Sequence, residues 1–521
     1  MKIQILDCTL RDGGYINDWN FKNSQILKVL NALENSNIEI LECGYLDNKK
    51  SKMQDSTLFP NLQRVDEFLE FSTHDIQKVV MINYGDYDIK QLPHKEETKI
   101  DGIRLAFHKE KFENALKEAK YIMNLGYRLY FQPMVTKNYS GIEFLSMIEK
   151  VNELLPHSFY IVDSFGSMTL DEFHRYLILA DSNLEQNISL GYHSHNNMQL
   201  AFSNAISMCT MNLKRDIVID SSIYGIGRGA GNLNTELIAD FLNKSYDKHY
   251  DTLPLLEIID EFLSSLMKKS PWGFSPAQFL SASYNCHPNY ATYLINKNTN
   301  HIVGIKKVLE KLPNDKKSSF DKALIEQLYI GSILEEATSL QGEFVIDKIK
   351  KVLLIASGKS VDKNLEMIIS KINDENYRSI ALNHIPKFNT DFYFFTNQKR
   401  FDEFSSNIDL SKTIITNNIS TSLDVFCVLD FKLLAFTNEK LVTNVAVVAL
   451  NHLVFLGFKD VEVVGLDGYK VSSENYNYNE TSTIQDEEEL MTQNALLAKA
   501  LHELSQKISI KLLTPSIFLK D

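Results

Sequence analysis

The sequence predicts an α/β protein whose first half is a (β/α)8 barrel, and three features of the chain carry that prediction. Eight short apolar runs recur before residue 290, helix-like segments separate most of them, and polar residues follow the ends of the runs. Eight strand–helix units in a segment of this length are what such a barrel requires. An open, doubly wound sheet is the alternative that the pattern alone leaves open.

The apolar runs have the length of strands and are bounded by polar turns. They lie at residues 3–10, 38–43, 78–83, 102–107, 128–134, 159–163, 188–193 and 217–223. Helical periodicity between the runs is clearest at residues 23–35, 109–125 and 141–155. This alternation favours a parallel sheet in which each strand is followed by a helix.

Polar residues stand at or just after the carboxyl ends of the runs, where barrels of this class gather their active sites. In chain order these residues are Arg11 and Asp12, Glu42, Asn83, His108, Gln132, Asp163 and Ser164, His193 and His195, and the glycine-rich loop at 225–232. Any one of them could be a strand-end cap or a satisfied core group. Together they predict a ring of convergent polar groups.

His193 and His195 are the sharpest signal in this ring. Residues two apart on a strand point to the same side, so both imidazoles can reach one metal ion. A pair of solvated loop histidines is the alternative for an isolated His-x-His.

Three motifs in register carry a resemblance to a known family: LDCTLRDGG at residues 6–14, HSHNN at 193–197 and GIGRGAGN at 225–232. In this order and spacing the chain resembles the DRE-TIM metallolyase superfamily, which includes hydroxymethylglutaryl-CoA lyase. The 4-hydroxy-2-oxovalerate aldolase branch is the most similar, because IVDSFG at 161–166 and CHPNY at 286–290 also agree. The resemblance spans about the first 290 residues.

The resemblance implies that Asp12, His193 and His195 bind a divalent metal, with Asn232 as a further ligand or a supporting group. One carboxylate, two imidazoles and oxygen donors suit Mn²⁺ or Mg²⁺ better than a closed thiolate zinc site does. Cleavage of a carbon–carbon bond in a 2-oxo acid would leave a pyruvate enolate, whose charge such a metal stabilises. The remaining candidates for substrate binding are Glu42, Gln132, Asp163 and Ser164.

Arg11 and Tyr15 are the residues whose roles the sequence leaves open. Arg11 is placed to share the enolate charge, or it forms a salt bridge with Asp12 or Glu42. Aldolases of this branch usually carry a basic histidine where this chain has Tyr15. The base could be Tyr15 itself, His108 or a metal-bound hydroxide, and Tyr15 could instead only shape the pocket.

Two other functions remain open for the barrel. The same superfamily contains Claisen-type synthases that use acetyl-CoA, although the second half of this chain does not read as their common regulatory domain. A catalytically inactive protein that binds a ligand or acts as a scaffold is the other alternative, supported mainly by Tyr15. The glycine-rich loop also matches a dinucleotide fingerprint, but it closes a series of eight runs instead of opening a doubly wound domain.

The rest of the chain divides into two predicted regions after a barrel at 1–288. Residues 289–343 read as a helical connector that packs on the barrel or on another subunit, so a homo-oligomer is expected. Residues 344–521 read as a Rossmann-like α/β domain, with strands near 351–355, 379–382, 391–396, 413–416 and 461–466 and a helix at 444–456. The turn at 357–360 could hold a phosphate at a helix amino terminus.

Two segments of the second domain, 383–400 and 464–469, resemble MptE-like pterin pyrophosphokinases and related glycan-associated domains. That resemblance implies a nucleotide or phosphosugar ligand near Gly358, Ser360, Asn383 and Asp467. A degenerate domain that only mediates assembly is the alternative.

Composition and charge narrow the classes of partner. The net charge of −13 and the lack of a concentrated basic segment disfavour nucleic acid, so small-molecule 2-oxo acid and aldehyde substrates are expected. The five cysteines are scattered, which argues against a disulfide framework. No signal peptide or bilayer-spanning run is evident, and the expectation is a cytoplasmic protein without membrane contact.

Overall fold

The computed structural model describes residues 1–48, 55–70, 76–297, 302–335, 351–437, 440–469 and 487–518. The chain forms two compact units. The first comprises Met1–Thr292 and Pro313–Phe320, and the second comprises Tyr293–Leu312 and Asp321–Asp521.

The first unit contains a closed parallel barrel. Its sheet has the strands β1 (Ile3–Asp7), β2 (Ile40–Leu46), β3 (Leu58–Phe59), β4 (Gln77–Asn83), β5 (Gly102–Phe107), β6 (Arg128–Pro133), β7 (Ser158–Asp163), β8 (Ser189–Ser194) and β9 (Ile217–Ser221). The order is β1-β9-β8-β7-β6-β5-β4-β2-β3, and β1 also pairs with β2. That pairing closes a ring of eight strands, with the two-residue β3 as an addition to β2. The predicted barrel is therefore confirmed, and the open-sheet alternative is wrong.

Helices alternate with these strands. They are α1 (Thr9–Asp12), α2 (Gly14–Asn17), α3 (Asn23–Asn35), α4 (Leu62–Leu69), α5 (Phe112–Asn124), α6 (Gly141–Leu154), α7 (Leu170–Asn183), α8 (Ala201–Thr210), α9 (Thr235–Tyr246), α10 (Leu253–Ile258), α11 (Ser264–Lys269) and α12 (Pro276–Ser283). α6 and α7 begin at reciprocal caps, in which Ser140 bonds the Glu143 backbone and Thr169 bonds the Glu172 backbone, while each glutamate bonds back. These caps satisfy backbone N–H groups that the first helical turn leaves free.

The apolar residues of the barrel form a large cluster, a smaller one in the barrel interior, and a third made of Tyr45, Leu58, Met81 and Ala106. The larger one fills the layer between the strands and the helices, as the near-continuous apolar runs of a parallel sheet require. The smaller one lies in the barrel interior and consists of Leu6, Cys8, Ile40, Val79, Tyr130, Tyr160, Val162 and Val218. Charged residues fill much of the remaining interior, because Glu42, Arg104 and Asp220 are all almost completely buried.

Two element boundaries differ from the sequence prediction in ways that matter for the site. The first strand ends at Asp7 rather than Leu10, because the Asp7 carboxylate accepts the Thr9 N–H at 2.9 Å and starts α1. Residues 109–111 form a 3-10 turn, so α5 begins only at Phe112. Apolar runs locate strands well, but local hydrogen bonds from side chains decide where they stop.

The second unit contains a seven-stranded parallel sheet. Its strands are β10 (Lys351–Ile355), β11 (Tyr377–Leu382), β12 (Phe392–Phe395), β13 (Thr413–Thr416), β14 (Cys427–Leu429), β17 (Asp460–Val464) and β18 (Ser509–Leu512), and β15 (Phe436–Thr437) pairs with β16 (Lys440–Leu441) separately. The strand order is β14-β13-β12-β11-β10-β17-β18. The chain adds strands outward from β10 toward β14 and then crosses to the other side of β10 to add β17 and β18, so the topological switch point lies between β10 and β17. A doubly wound parallel sheet of this kind agrees with the predicted α/β fold.

The remaining helices are α13 (Pro288–Lys297), α14 (Ile302–Glu310), α15 (Lys322–Glu335), α16 (Ser360–Lys363), α17 (Leu365–Ile372), α18 (Gln398–Phe404), α19 (Phe431–Ala435), α20 (Val445–Phe455) and α21 (Glu487–Ser505). The stretch predicted to be a connector contains α13, α14 and α15, and residues 311–321 between α14 and α15 form turns and bends around a 3-10 turn at Asn314–Lys316. The predicted boundary at 343/344 falls within 336–350, outside the described residues. Across the helices that the structure describes, none combines the length and apolarity needed to cross a bilayer.

Candidate active site

The candidate site lies at the carboxyl mouth of the barrel, where the loops after β1, β8 and β9 meet. α1 follows β1 at once and carries Arg11 and Asp12, while His193 is the next-to-last residue of β8. A bridge between His195 and Asn232 then joins the loop after β8 to the loop after β9. The three motifs of the sequence therefore come together at one place, and their two histidine rings stand 5.4 Å apart between centroids.

Asp12 is the centre of this cluster and is fully buried. Its Oδ2 lies 3.7 Å from His193 Nε2 and accepts hydrogen bonds from Asn232 Nδ2 at 2.6 Å and from the Cys8 thiol at 3.2 Å. Burial raises the pKa of Asp12, but the Arg11 guanidinium and the two imidazoles outweigh that effect and hold the pKa well below its usual value. Asp12 is therefore a carboxylate in the folded protein.

His193 is oriented by a carboxylate on the neighbouring strand. Its Nδ1 lies 2.9 Å from Asp220 Oδ2, an arrangement that places the proton on Nδ1 and leaves the Nε2 lone pair facing Asp12. Asp220 is itself held by Arg104 and by the Tyr160 hydroxyl, which donates to Oδ1 at 3.1 Å. A carboxylate behind a histidine is the usual support of a metal-ligating imidazole.

Two buried atoms of the cluster have no hydrogen-bond partner among the residues that the structure describes: His195 Nδ1 and Asn232 Oδ1. Buried polar atoms are nearly always paired, so each calls for an explanation. Asp12 and His193 can present ligand atoms within 4.8 Å of each other, and the His195 nitrogen and the Asn232 oxygen are donors of the types that divalent cations bind.

Cys8 is the other group whose position would allow metal binding, because it, Asp12 and His193 can present ligand atoms within 4.8 Å of one another. The thiol, however, donates to Asp12 and to the Ser221 carbonyl oxygen at 3.0 Å. Burial, followed by the nearby Asp12 charge, raises the pKa of Cys8 well above its ordinary value. The Cys8 thiol therefore supports Asp12 by a hydrogen bond.

Arg11 belongs to a buried chain of alternating charges. It pairs with Asp12, and its Nε donates to Glu42 Oε2 at 2.9 Å, while Arg104 Nη1 reaches the same oxygen at 2.6 Å and also pairs with Asp220. The salt bridges that were the alternative for Arg11 are thus both present. Its Nη2 is nevertheless buried without a partner among the described residues, so one donor remains for a ligand.

The candidate substrate-binding residues are engaged with the protein to different degrees. Glu42 lies in the chain of charges, and the Gln132 amide oxygen, oriented by its donors, accepts from Arg104 Nε at 2.8 Å. The Asp163 carboxylate accepts the backbone N–H groups of Ser167 and Met168, each at 3.0 Å. The hydroxyl of Ser164 accepts the Val135 N–H at 2.9 Å, so this pair orders loops at the mouth.

The two candidate side chains for the base follow different strands of the barrel, β1 and β5. Tyr15 lies on α2, where its ring packs edge-on against Trp19 at 5.0 Å and carries the Arg228 guanidinium at 4.2 Å. His108 follows β5 at the start of the 3-10 turn and is half-buried.

Sequence reasoning did not find Asp220, Arg104 or Tyr160. Each lies in the middle of an apolar strand, where a lone polar residue reads as an exception within the run. A charged residue inside a strand that is buried on both faces was the available signal, because such a charge must be paired.

In the second unit, Gly358, Ser360 and Asp467 meet at the carboxyl ends of β10 and β17. The Asp467 carboxylate accepts the Ser360 N–H at 2.8 Å and also the Ser360 hydroxyl. A Cβ on Gly358 would lie 2.4 Å from the Gly465 carbonyl oxygen, so the two loops require glycine there. Asn383 follows β11 with a positive φ of 57°, and its side-chain oxygen accepts the Thr396 N–H at 2.9 Å.

Comparison with known proteins agrees with the barrel assignment. The HMGL-like family model matches residues 2–260. A 4-hydroxy-2-oxovalerate aldolase from Bacillus thuringiensis (strain Al Hakam) is 22% identical over 267 residues, which is 51% of this chain and 77% of that protein. One from Geobacillus thermodenitrificans (strain NG80-2) is 23% identical over 272 residues, with the same shares of 51% and 77%.

A solved structure is also similar to the first unit. It is the N-terminal domain of a candidate aldolase from Bacteroides vulgatus, with a TM-score of 0.50 and 27% identity, and the match covers 56% of this chain and 96% of that one. The closed barrel and its relatives define the class, a barrel of the lyase and aldolase type. Within that class, residues 2–260 are similar to the HMGL-like family.

Proposed function

We propose that the barrel is a divalent-metal-dependent aldolase that forms or cleaves a carbon–carbon bond between a 2-oxo acid and an aldehyde. The observation that carries this proposal is the set of buried, unpartnered donor atoms beside Asp12, namely His195 Nδ1 and Asn232 Oδ1. Asp12, His193, His195 and Asn232 would hold the cation, for which Mn²⁺ and Mg²⁺ are the best candidates. When bound, it supplies positive charge that stabilises the enolate of the 2-oxo acid.

The protein's own residues contribute orientation and charge. Arg11 is held by Asp12 and Glu42, and its free Nη2 can donate to a substrate carboxylate or enolate oxygen. Asp220 fixes the His193 tautomer, so the imidazole presents a lone pair without a prior proton transfer. The buried mouth keeps these interactions in a medium of low dielectric constant, where they are stronger than in water.

Metal analysis of the purified protein tests this proposal. The wild type should bind about one Mn²⁺ or Mg²⁺ and exchange the methyl protons of pyruvate with solvent deuterium, which proton NMR detects. His193→Ala should lose both. His174→Ala is the matched control, because His174 contacts Ser207 on the helix side of the barrel, away from the mouth. Full metal content and full exchange in His193→Ala would refute the site.

For the second unit we propose a nucleotide or phosphosugar site at the loops after β10 and β17. Ligands of open parallel sheets bind at the reversal of strand order, and that reversal lies here. The ligand would lie near Gly358, Ser360, Asn383 and Asp467, with Ser360 exchanging its bond to Asp467 for one to the ligand. A panel of nucleotides and nucleotide sugars should raise the unfolding temperature of the full chain for at least one compound, and less so for Gly358→Val. The absence of any shift would leave only an assembly role.

A further inference from the structure

The glycine-rich loop after β9 carries one long side chain, that of Arg228. Its glycines pack too closely for any side chain, since a Cβ on Gly227 would lie 2.9 Å from the Asn232 amide and one on Gly229 would lie 2.7 Å from Asn197 Oδ1. Gly229 also has a φ of +65°, which favours glycine. The backbone of this loop is therefore fixed against the candidate metal site, and Arg228 extends from a rigid base.

An aromatic ring holds the Arg228 guanidinium. The guanidinium stacks over the Tyr15 ring at 4.2 Å, and no carboxylate forms an ion pair with it in the described part of the chain. Its Nε is buried without a hydrogen-bond partner there. Stacking on an aromatic ring fixes the plane of a guanidinium while leaving its N–H edge free, and that edge matches the oxygens of carboxylates and phosphates.

His287 offers a second donor, which is connected to the Arg228 loop through Phe165 and Asn197. The His287 ring packs against the Phe165 ring, with 6.2 Å between their centroids. The Phe165 carbonyl oxygen accepts a hydrogen bond from Asn197 Nδ2 at 2.9 Å. Asn197 Oδ1 in turn accepts the N–H of Ala230 at 2.7 Å, two residues after Arg228. His287 Nδ1 accepts the Asn289 N–H at 3.1 Å, so in the neutral ring Nε2 carries the proton.

The electrostatics agree with this contact chain. Burial first, and then the Arg228 charge and His108, lower the pKa of His287 to about 3. An anion bound between Arg228 and His287 would neutralise this unbalanced charge.

We propose that Arg228, held by Tyr15 and assisted by His287, binds an anionic group of the aldehyde substrate, either a carboxylate or a phosphate. This rests on the proposed aldolase function and adds the class of aldehyde to it. Tyr15 is then a positioning residue that acts through Arg228, which explains a tyrosine where the related aldolases usually have a basic histidine.

Matched aldehydes test the proposal, with pyruvate as the second substrate. Succinic semialdehyde is compared with butyraldehyde, and glyceraldehyde 3-phosphate with glyceraldehyde, in the metal-loaded protein. The wild type should prefer the charged member of at least one pair in kcat/KM, and the pair that shows it distinguishes carboxylate from phosphate. Arg228→Gln should reduce that preference by about 10- to 100-fold, which is the ratio that corresponds to the free energy of a hydrogen bond to a charged group. Arg228→Lys should restore part of the preference.

Arg175→Gln is the matched control, because Arg175 stacks over Tyr176 at 4.8 Å on α7. Equal losses for charged and neutral aldehydes in Arg228→Gln would overturn the proposal, as would a wild type without preference. Tyr15→Phe should keep the preference and Tyr15→Leu should reduce it. If Tyr15 is instead the general base, Tyr15→Phe should lower turnover of all aldehydes by about 10²- to 10⁴-fold.

A failure of the aldolase function is recognised separately, by the absence of pyruvate methyl exchange in the wild type. Calorimetric titration then still decides the anion site. Glyceraldehyde 3-phosphate or succinic semialdehyde should bind Arg228→Gln at least about 10-fold more weakly than Arg175→Gln. Equal affinities, or binding of neither compound, would overturn the anion site.

Discussion

The barrel mouth and the carboxyl edge of the second sheet are both built from loops that follow parallel strands, but their polar groups are in different states. At the barrel mouth, His195 Nδ1 and Asn232 Oδ1 are buried without partners among the described residues. At the second sheet, both side-chain oxygens of Asp467 accept from Ser360. The barrel therefore holds open positions for a ligand, whereas the second sheet must exchange an internal hydrogen bond before it can bind an anion through Ser360.

Buried charge explains how the barrel keeps those positions open. Arg11, Glu42, Arg104 and Asp220 alternate in sign and fix one another. The groups that face the mouth are thereby oriented without a ligand, which is the condition for a preorganised site.

Removing Arg104 should have the largest effect, because it should destabilise the barrel. Arg104→Met leaves Glu42 with Arg11 alone and Asp220 with no arginine, so we expect the barrel to lose about 3–5 kcal/mol of stability. Urea unfolding with pulse-labelled hydrogen exchange on β5 and β9 measures this loss. Arg64→Met is the control, because Arg64 pairs with Glu67 at the surface and should cost no more than about 1 kcal/mol. Similar losses in the two variants would contradict the prediction.

Sequence patterns located the barrel because its strands are apolar on both faces and its helices separate them at regular intervals. They predict Asp12, His193, His195 and Asn232 as metal ligands because strand-end motifs are local, and that assignment stays a prediction. They did not show that Asp220 holds His193, since that contact joins strands 27 residues apart through a side chain that looks like an exception in its run. The short strands β14 and β18 were also missed, because three or four residues carry too little pattern to be distinguished from loops.

The second unit should respond to pH through His384, which is completely buried at the end of β11 and whose Nδ1 lies 3.0 Å from the Leu382 carbonyl oxygen. Burial lowers the pKa of His384 to about 4 from an ordinary value of 6.5. The folded state disfavours the protonated form of His384. Its contribution to the free energy of unfolding is therefore fully present above pH 6.5 and is lost as the pH falls toward 4. The expected loss is about 3 kcal/mol.

Urea titrations across this range, with β10 and β11 followed by pulse labelling, should therefore show a smaller pH dependence in His384→Gln than in the wild type. His502→Gln, at an exposed position of α21, should behave as the wild type does. An unchanged slope in His384→Gln would assign the acid sensitivity to other groups.

Weakening the support of His193 should test whether the open positions at the barrel mouth depend on the charges behind them. Asp220→Asn removes the carboxylate at His193 Nδ1, and we expect metal affinity to fall by about 10- to 100-fold. Asp181→Asn is the matched control, since Asp181 pairs with the buried Arg215 at 3.0 Å on the outer layer of the barrel. Both variants should lose stability, but only Asp220→Asn should lose metal affinity in a competition titration. Equal affinities would show that Asp220 serves the fold alone.

Weakening the contact between Asp467 and Ser360 in the second sheet should have the smallest effect on stability. Asp467→Asn removes the charge and leaves one oxygen for the two donors of Ser360, so the second unit should lose about 1 kcal/mol of stability. The freed donor should also strengthen the binding of inorganic phosphate relative to the wild type, because a carboxylate no longer occupies the position of the anion. Asp402→Asn is the control, as that carboxylate accepts only from an exposed contact with Gln398 on α18. Weaker phosphate binding in Asp467→Asn would instead make Asp467 a direct contact of the ligand. The second sheet would then bind its ligand without first breaking an internal hydrogen bond, as the barrel mouth does.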